Sequence, residues 1–332
     1  MTAPERLHGI LAPVITPFRR DLSPDPERLI AHCRWLLAQG VGLAVFGTNS
    51  EANSLSVAEK IDLLDQLVDA GLDPRTMMPG TGCCALPDSV ALTKHAVSRG
   101  CAGVLMLPPF YYKGVSDEGL YRSYAEIIER VGSPDLRIYL YHIPPVSQVG
   151  ISVDLVERLS GAYPEIVAGI KDSSGDWNNT RTLIERGGPD FRVFCGSETF
   201  LLRTLKAGGA GCISATANVN PAAIRRLFDE WRKPDAESQQ KDLDEFRTCL
   251  QMPTMIPALK AVVAGFLGDP QWEVLRPPLV PLAEERKSVL IRMLRERGFQ
   301  WPGTAPDSFL RPPFGAPSPH TPCNENNLSD GR

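Results

Sequence analysis

Short apolar runs recur along this chain, and segments of helix length separate them. Most of these runs are continuous, without polar alternation, and rich in valine and isoleucine, as strands covered on both faces are. Eight runs are predicted to be strands: Ile10 to Thr16, Gly42 to Gly47, Thr76 to Thr81, Gly103 to Leu107, Arg137 to Ile143, Val167 to Lys171, Phe191 to Gly196 and Gly211 to Ala215. Since strands that alternate with helices run parallel, and eight favour closure, the pattern predicts an α/β fold with a (β/α)8 TIM barrel.

The helix after the second strand has a readable start. Ser56 and Glu59 fit a capping box, in which each side chain accepts a hydrogen bond from the other residue's backbone N–H. The helix therefore begins several residues beyond Thr48. Thr48 to Glu51 are left in the loop between strand and helix, which is where barrel enzymes place their chemistry.

Beyond the eighth strand the pattern predicts helices only, at Pro221 to Trp231, Ala236 to Gln251, Pro253 to Phe266 and Leu282 to Arg297. The first completes the eighth unit, and the others form a C-terminal helical appendage. Prolines then recur, and a polar asparagine-rich run follows, so we expect a disordered tail or one that lies across a neighbouring subunit. The predicted division is a catalytic barrel at 1–232, a helical region at 233–300 and a Pro-rich tail at 301–332.

Composition narrows the class of protein. The chain has 332 residues, 43% of them hydrophobic, so it can bury a large core. Its formal charge of -4 gives no basic field, and we expect neither nucleic acid nor a membrane as a partner. The amino terminus lacks the basic and apolar regions of a secretory signal, which predicts a cytoplasmic protein. Eight cysteines without a CxxC pair are expected to be small buried hydrophobes.

Three of the predicted strands end in polar residues suited to chemistry. Lys171 follows the apolar run Ile166 to Ile170, and a lysine amine at the mouth of a barrel is suited to attack a carbonyl. Tyr141 ends the strand before it, and Gly47 to Glu51 puts hydroxyl and amide groups after the second strand. Because parallel strands of a barrel end on one face, these groups are predicted to converge.

Other polar residues near these ends are predicted to be structural. Strand alternation points His142 away from Tyr141, and Glu51 leads toward a helix start, where an acidic residue is more often structural. Asp172 either orients Lys171 or bonds to loop amides. No His, Cys or carboxylate cluster has metal-site spacing, and no Gly-rich phosphate loop follows a strand, so we expect no metal and no cofactor beyond the lysine itself.

The order and spacing of these motifs resemble the dihydrodipicolinate synthase/N-acetylneuraminate lyase family, from about Gly9 to Arg297. That family has a Gly-Thr/Ser-Thr-Gly-Glu loop after the second strand, a Tyr-x-x-Pro motif ending the fifth and a Gly-x-Lys motif ending the sixth. Here they appear as Gly47 to Glu51, Tyr141 to Pro144 and Gly169 to Lys171. The resemblance implies a Schiff-base-forming lyase, a class I aldolase acting on pyruvate or another 2-oxo acid together with an aldehyde.

The resemblance also implies roles for single residues. Lys171 is expected to form an imine with the ketone, and Tyr141 to shuttle a proton to the substrate oxygen. Thr48 and Tyr112 match the hydroxyl and the second tyrosine that relay this proton. In relatives the second tyrosine comes from a neighbouring subunit, which implies a homodimer or homotetramer.

For the carboxylate of the 2-oxo acid, the resemblance implies a pocket formed by Asn49, Ser50 and the backbone around Ile213 and Ser214. Asn49 replaces the family's second threonine and Ser50 its glycine, although an amide and a loop N–H still donate hydrogen bonds. Val146 stands where dihydrodipicolinate synthases carry an arginine. Since valine makes no bidentate pair with a carboxylate, the 4-hydroxy-tetrahydrodipicolinate synthase reaction is disfavoured.

The same residues are compatible with other functions. The same lysine enamine can expel hydroxide or ammonia, as in a dehydratase or deaminase of a 2-oxo or imino acid, and product analysis separates these from an aldolase. A third alternative is a non-catalytic barrel that binds 2-oxo acids. The presence of Lys171, Tyr141, Thr48 and Tyr112 together argues against it, because a sensor needs no proton relay.

Overall fold

The computed structural model describes residues 6–250 and 255–301. Within them the strands are β1 (Gly9–Ala12), β2 (Gly42–Leu43), β3 (Val104–Met106), β4 (Ile138–His142), β5 (Val167–Asp172), β6 (Arg192–Cys195) and β7 (Gly211–Ile213). The helices are α1 (Pro26–Ala38), α2 (Val57–Asp69), α3 (Leu86–Ser98), α4 (Asp117–Val131), α5 (Pro144–Ser147), α6 (Val153–Ala162), α7 (Trp177–Arg186), α8 (Leu201–Lys206), α9 (Pro221–Glu230), α10 (Ala236–Leu250), α11 (Met255–Leu267) and α12 (Glu284–Glu296).

The strands form one parallel sheet in the order β2-β1-β7-β6-β5-β4-β3, curled so that its edges approach each other. Helices follow the strands, as βαβ crossovers require. The predicted TIM barrel with C-terminal helices is confirmed. The predicted tail at 301–332 lies, after Trp301, outside the described residues.

The third predicted strand, Thr76 to Thr81, is not a regular strand. Its start belongs to the 3₁₀ helix Pro74–Thr76, and only single bridges form at Met77 and Gly80. Met78 N–H donates to Leu43 and Thr81 N–H to Leu105, so the segment still fills the gap between β2 and β3. Pro79 has no N–H to donate toward β3, which interrupts the ladder.

Side chains fill the barrel interior and form a floor beneath the strand ends. Tyr139 of β4 lies opposite Gly169 of β5. A Cβ atom on Gly169 would stand 2.1 Å from the carbonyl oxygen of Arg192 and 2.9 Å from Cδ1 of Tyr139, so only glycine fits. Two residues further along each strand, on the same face, the register places Tyr141 opposite Lys171.

The C-terminal helices share a hydrophobic core with the barrel. Ile15, Ala215 and Val219 of the barrel pack with buried residues of α10, α11 and α12. Within the described residues no single helix is long and apolar enough to cross a membrane, and only the bent pair α10 and α11 has the length and composition of a span.

The capping box predicted for α2 is confirmed. Ser56 Oγ accepts from the N–H of Glu59, and Glu59 Oε2 accepts from the N–H of Ser56 at 2.8 Å. The same carboxylate accepts from both terminal nitrogens of Arg276. Hydrogen bonds from Arg276 are the main reason that the pKa of Glu59 falls from its ordinary 4.5 to about 2.

Glu59→Gln is expected to lower the free energy of unfolding by about 1 kcal/mol at neutral pH, since this partly exposed pair is screened by solvent. A carboxyl whose pKa is depressed on folding stabilises above its unfolded pKa. The difference from wild type should therefore disappear as pH falls from about 4.5 to about 2. Urea denaturation across this range measures it, with Glu296→Gln as an exposed control. A difference that does not change with pH contradicts the assignment.

Candidate active site

The three polar strand ends meet at a cavity of about 600 Å³ on the carboxyl face of the barrel. Lys171, Tyr141 and Thr48 all line it. Loops after β4, β5 and β6 form its sides, and residues of α10 and α11 complete the wall. This is the face on which barrel enzymes carry their active sites.

Lys171 and Tyr141 lie side by side at the base of this cavity. Each is 2% exposed. They occupy opposed positions on β5 and β4, and Lys171 Nζ lies 4.2 Å from the centroid of the Tyr141 ring. A primary amine and a phenol are therefore held together on regular strands, which fixes their positions more tightly than loops would.

Thr48 places a hydroxyl group next to Tyr141. Its Oγ1 lies 3.3 Å from the hydroxyl of Tyr141, within hydrogen-bonding distance. Thr48 begins a short 3₁₀ helix, Thr48–Ser50, flanked by Phe46 and Glu51 in the left-handed region, with φ of 60° and 55°. Non-glycine residues adopt that region at a cost that the surroundings must offset. The loop is thus held in one strained conformation that aims Thr48 at Tyr141.

A buried ion pair anchors this loop. Glu51 Oε1 lies 2.5 Å from Lys260 Nζ of α11, and neither side chain is exposed. Lys260 Nζ also donates to the carbonyl oxygen of Val274, at 2.8 Å. Burial lowers the pKa of Lys260 to about 8, against the opposing effect of Glu51. Glu51 is structural, as the sequence predicted, and it links the Thr48 loop to the C-terminal helices.

Asp172 and His142, which neighbour the central pair in sequence, have other partners. The carboxylate of Asp172 accepts from the N–H of Ser174 and from the side chains of Asn179 and Thr180. Of the two roles left open for Asp172, the structure supports the bonding to the loop. His142 Nδ1 accepts from the N–H of Ile151 at 2.9 Å, and burial lowers the pKa of His142.

The structure brings only one of the four expected carboxylate-binding residues to the cavity wall. Asn49 lines the cavity. Ser50 is fully buried and accepts from the N–H of Gly47 through its hydroxyl. Ile213 packs in the barrel interior, and the Ser214 hydroxyl donates to the buried Glu198. These three do not line the cavity.

Tyr112 is not brought to Lys171 within this chain. It is 72% exposed, in the loop between β3 and α4, and stacks edge-on against Tyr111 with ring centroids 5.4 Å apart. Two large aromatic side chains on the surface of one loop are typical of a protein interface.

Two further residues shape the outer wall. Val146 lines the cavity and is 62% exposed, which places an apolar side chain there. Arg247 of α10 also lines it, and its Nη1 donates to Glu198 at 2.8 Å. Sequence reasoning missed Arg247. The available signal was its position four residues after Leu243 and three before Leu250, on the buried face of the helix.

In the part of the chain that the structure describes, no three His, Cys, Asp or Glu side chains are grouped as metal ligands would be.

Comparisons with known proteins identify the family. Residues 6–297 match the model of the dihydrodipicolinate synthetase family. A relative named as an uncharacterized DapA-like lyase, from Chloroflexus aurantiacus, is 34% identical over 85% of this chain and 94% of its own. The solved dihydrodipicolinate synthase of Agrobacterium tumefaciens is 32% identical, with a TM-score of 0.80, over 87% of this chain and 99% of its own. The E. coli K12 prophage protein YagE, solved in complex with pyruvate, is 28% identical, with a TM-score of 0.80, over 88% and 98% of the two chains. The chain therefore belongs to the dihydrodipicolinate synthetase family.

Proposed function

We propose that this protein is a Schiff-base-forming lyase that makes or breaks a carbon–carbon bond next to pyruvate or another 2-oxo acid. The observation that carries the proposal is the buried Lys171 at the end of β5, beside Tyr141, at the base of the cavity. Thr48 within hydrogen-bonding distance of Tyr141 adds a route for the proton. The likeness to YagE, whose structure contains pyruvate, supports the choice of that 2-oxo acid.

In the proposed reaction, the amine of Lys171 adds to C2 of the 2-oxo acid, and water leaves to give an iminium. Transfer of a proton from C3 to solvent converts the iminium to an enamine, and solvent returns a proton to Tyr141 at the end of the cycle. The enamine C3 bonds to the aldehyde carbon, while the aldehyde oxygen takes a proton from Tyr141. Water then hydrolyses the new iminium and restores the free amine. The reverse sequence cleaves the bond, and no other cofactor enters.

The carboxylate of the 2-oxo acid is proposed to bind at the Thr48 loop. Asn49 lines the cavity next to Thr48, and its amide N–H groups are suitable donors. Ser50, Ile213 and Ser214 contribute no side chain to the cavity wall, but the backbone around Ile213 and Ser214 stays part of the proposed pocket, because the adjacent Ala215 lines it.

Hydrogen exchange at pyruvate C3 tests the proposal directly. Enamine formation is expected to exchange the methyl protons for deuterium in heavy water, which proton NMR detects as loss of the methyl signal. Analysis of the products formed from a longer 2-oxo acid then separates the alternatives. A carbon–carbon lyase releases pyruvate and an aldehyde, whereas a dehydratase or deaminase leaves the carbon skeleton whole. Absence of exchange with pyruvate and with other 2-oxo acids contradicts the proposal.

Tyr141→Phe is expected to lower kcat by about 10² to 10⁴-fold, the usual contribution of a positioned general acid or base. The ring that packs beside Lys171 is kept and only the hydroxyl is lost. Tyr139→Phe makes the same chemical change two residues earlier on β4, where the hydroxyl accepts from Leu7, and serves as the control. Steady-state kinetics with equal losses in the two variants would refute the role of Tyr141.

We further propose that the enzyme is a homodimer or homotetramer in which Tyr112 enters the active site of a neighbouring subunit. The 72% exposure of Tyr112 supports this placement. Tyr112→Phe is expected to lower kcat about 10-fold or more, and Tyr111→Phe, next to it and equally exposed, is the control.

A mixing experiment tests whether Tyr112 acts across subunits. Lys171→Ala and Tyr112→Phe subunits, each impaired alone, are expected to regain activity when unfolded and refolded together, since some mixed sites then hold both wild-type groups. No recovery in mixed oligomers contradicts the arrangement.

A cytoplasmic location is part of the same proposal. The seven cysteines among the described residues are all free thiols, which suits a reducing compartment. Recovery of the protein outside the cytoplasm on cell fractionation contradicts this location.

A further inference from the structure

Helix α10 places an arginine on the wall of the cavity that holds Lys171. Arg247 is 15% exposed, and its Nη1 donates to Glu198 Oε2 at 2.8 Å and to Ser214 Oγ at 3.2 Å. These two bonds account for both hydrogens of Nη1. In the described part of the chain, Nε and Nη2 have no hydrogen-bond partner.

The unused edge of Arg247 has a specific chemistry. Nε–H and one N–H of Nη2 point in parallel along the side of a guanidinium. That edge binds a carboxylate or a phosphate through two parallel hydrogen bonds, which are among the strongest in proteins. Neither Nε nor Nη2 is among the polar atoms buried without a partner in the described residues, so solvent reaches both, and a ligand in the cavity can reach them as well.

The Glu198 network fixes this edge in place. Glu198 is fully buried, and its carboxylate accepts from the hydroxyls of Ser214 and Thr216 as well as from Arg247. Because one end of the guanidinium is already held, a ligand does not have to order a free arginine side chain. Glu198 is in this sense a positioning residue for Arg247.

The charges around the cavity favour an anion at this point. Among the described residues that line it, Lys171 and Arg247 are the cations, and the one carboxylate, Asp172, is already bonded to Ser174, Asn179 and Thr180. In the proposed reaction Lys171 forms the imine and is not available to bind a second anion. The cavity wall next to Arg247 is apolar, at Met255, Ile256 and Pro257. Apolar walls strengthen a charge pair by excluding water. Val146 supplies no donor, so Arg247 is the group left to bind an acidic tail.

We propose that Arg247 binds an anionic group, a carboxylate or a phosphate, at the far end of the aldehyde partner. The inference rests on the proposed function and narrows it to one substrate class. The enzyme joins a 2-oxo acid to an aldehyde that carries its own acidic group, or cleaves the corresponding product.

Matched aldehydes test this inference. Condensation with pyruvate is measured for succinic semialdehyde against butanal, and for glyceraldehyde 3-phosphate against glyceraldehyde. Wild type is expected to show a kcat/KM at least about 10-fold higher for the anionic member of one pair, the range that hydrogen bonds to a charged group provide. The pair that shows it distinguishes a carboxylate from a phosphate ligand.

Arg247→Met is expected to lower the ratio of anionic to neutral kcat/KM about 10-fold or more. Lys241→Met, which removes the same charge from an exposed position of α10, should keep the ratio. Arg247→Met leaves Glu198 buried without its cation, which can impair folding. The double variant Glu198→Gln/Arg247→Met avoids this unpaired charge, and its ratio of anionic to neutral kcat/KM is expected to fall as well.

The contrary outcomes are distinct. The role of Arg247 is overturned if the two Arg247 variants lose kcat/KM equally for the anionic and the neutral aldehyde of a pair. It is also overturned if the wild type has no preference for either anionic aldehyde or does not accept one. Borohydride trapping of pyruvate on wild type separates this result from failure of the proposed function. A pyruvate adduct without anion preference rejects the inference alone, whereas absence of any adduct rejects the function on which it rests.

Discussion

Lys171→Ala is expected to abolish turnover, lowering kcat by at least about 10⁴-fold, as removal of a covalent nucleophile does. Among the described residues that line the cavity, Lys171 is the only primary amine, since Arg247 is a guanidinium. No other described side chain of the cavity can then form the imine. Hydrogen exchange at pyruvate C3 should be lost together with turnover, because both need the enamine.

The control is a second buried lysine. Lys60 of α2 is 5% exposed and does not line the cavity, so Lys60→Ala should keep turnover within a few-fold if it folds. Circular dichroism of both variants checks the fold. Turnover by a folded Lys171→Ala protein above about 1% of wild type contradicts the covalent mechanism.

Lys260→Met is expected to cost about 3 to 5 kcal/mol of folding free energy, because it leaves the carboxylate of Glu51 buried without its cation. The loop that carries Thr48 should shift as well, since Glu51 holds it against α11. The variant is therefore expected to lose activity in addition to stability. Denaturant unfolding and steady-state kinetics at a temperature where the variant is folded measure the two effects.

A double variant separates the pair from its parts. Glu51→Gln/Lys260→Met removes both charges, and it should be less destabilised than Lys260→Met, since no unpaired charge stays buried. Lys287→Met breaks a partly exposed pair with Glu273 and should cost less than about 1 kcal/mol. A Lys260→Met protein as stable as wild type contradicts the anchoring role of the ion pair.

The barrel could be predicted from the sequence because continuous apolar runs alternating with helical segments allow few other arrangements. The prediction of the strands failed at one segment of the barrel. Thr76 to Thr81 has the composition of a strand and occupies the place of one, but Pro79 removes a donor and the ladder breaks into single bridges. Proline within an apolar run was the signal for that difference.

The proximity of Lys171 and Tyr141 could also be predicted from the sequence. Parallel strands end on one face, so Lys171 and Tyr141 are opposed as soon as the register of β4 and β5 is set. Side-chain directions beyond the strands were not predictable. Ser50 turns inward within a 3₁₀ helix, and Ser214 faces Glu198, because packing of distant segments decides both.

Arg247 lies outside any motif of the barrel. It reaches the cavity only because α10 packs back over the strand ends, with Phe246 and Leu250 in a core shared with Ile15 and Ala215. The helical spacing of Arg247 from Leu243 and Leu250 predicts that it lies on the buried face of α10, but no local pattern predicts which distant segment that face packs against.

Covalent trapping tests the central claim most directly. The protein is incubated with pyruvate and borohydride, its intact mass is measured, and the modified peptide is mapped. Reduction converts an imine to a stable secondary amine, so we predict a single adduct of pyruvate mass on Lys171. A folded protein that forms no adduct with pyruvate or other 2-oxo acids, or forms it on another lysine, contradicts the account.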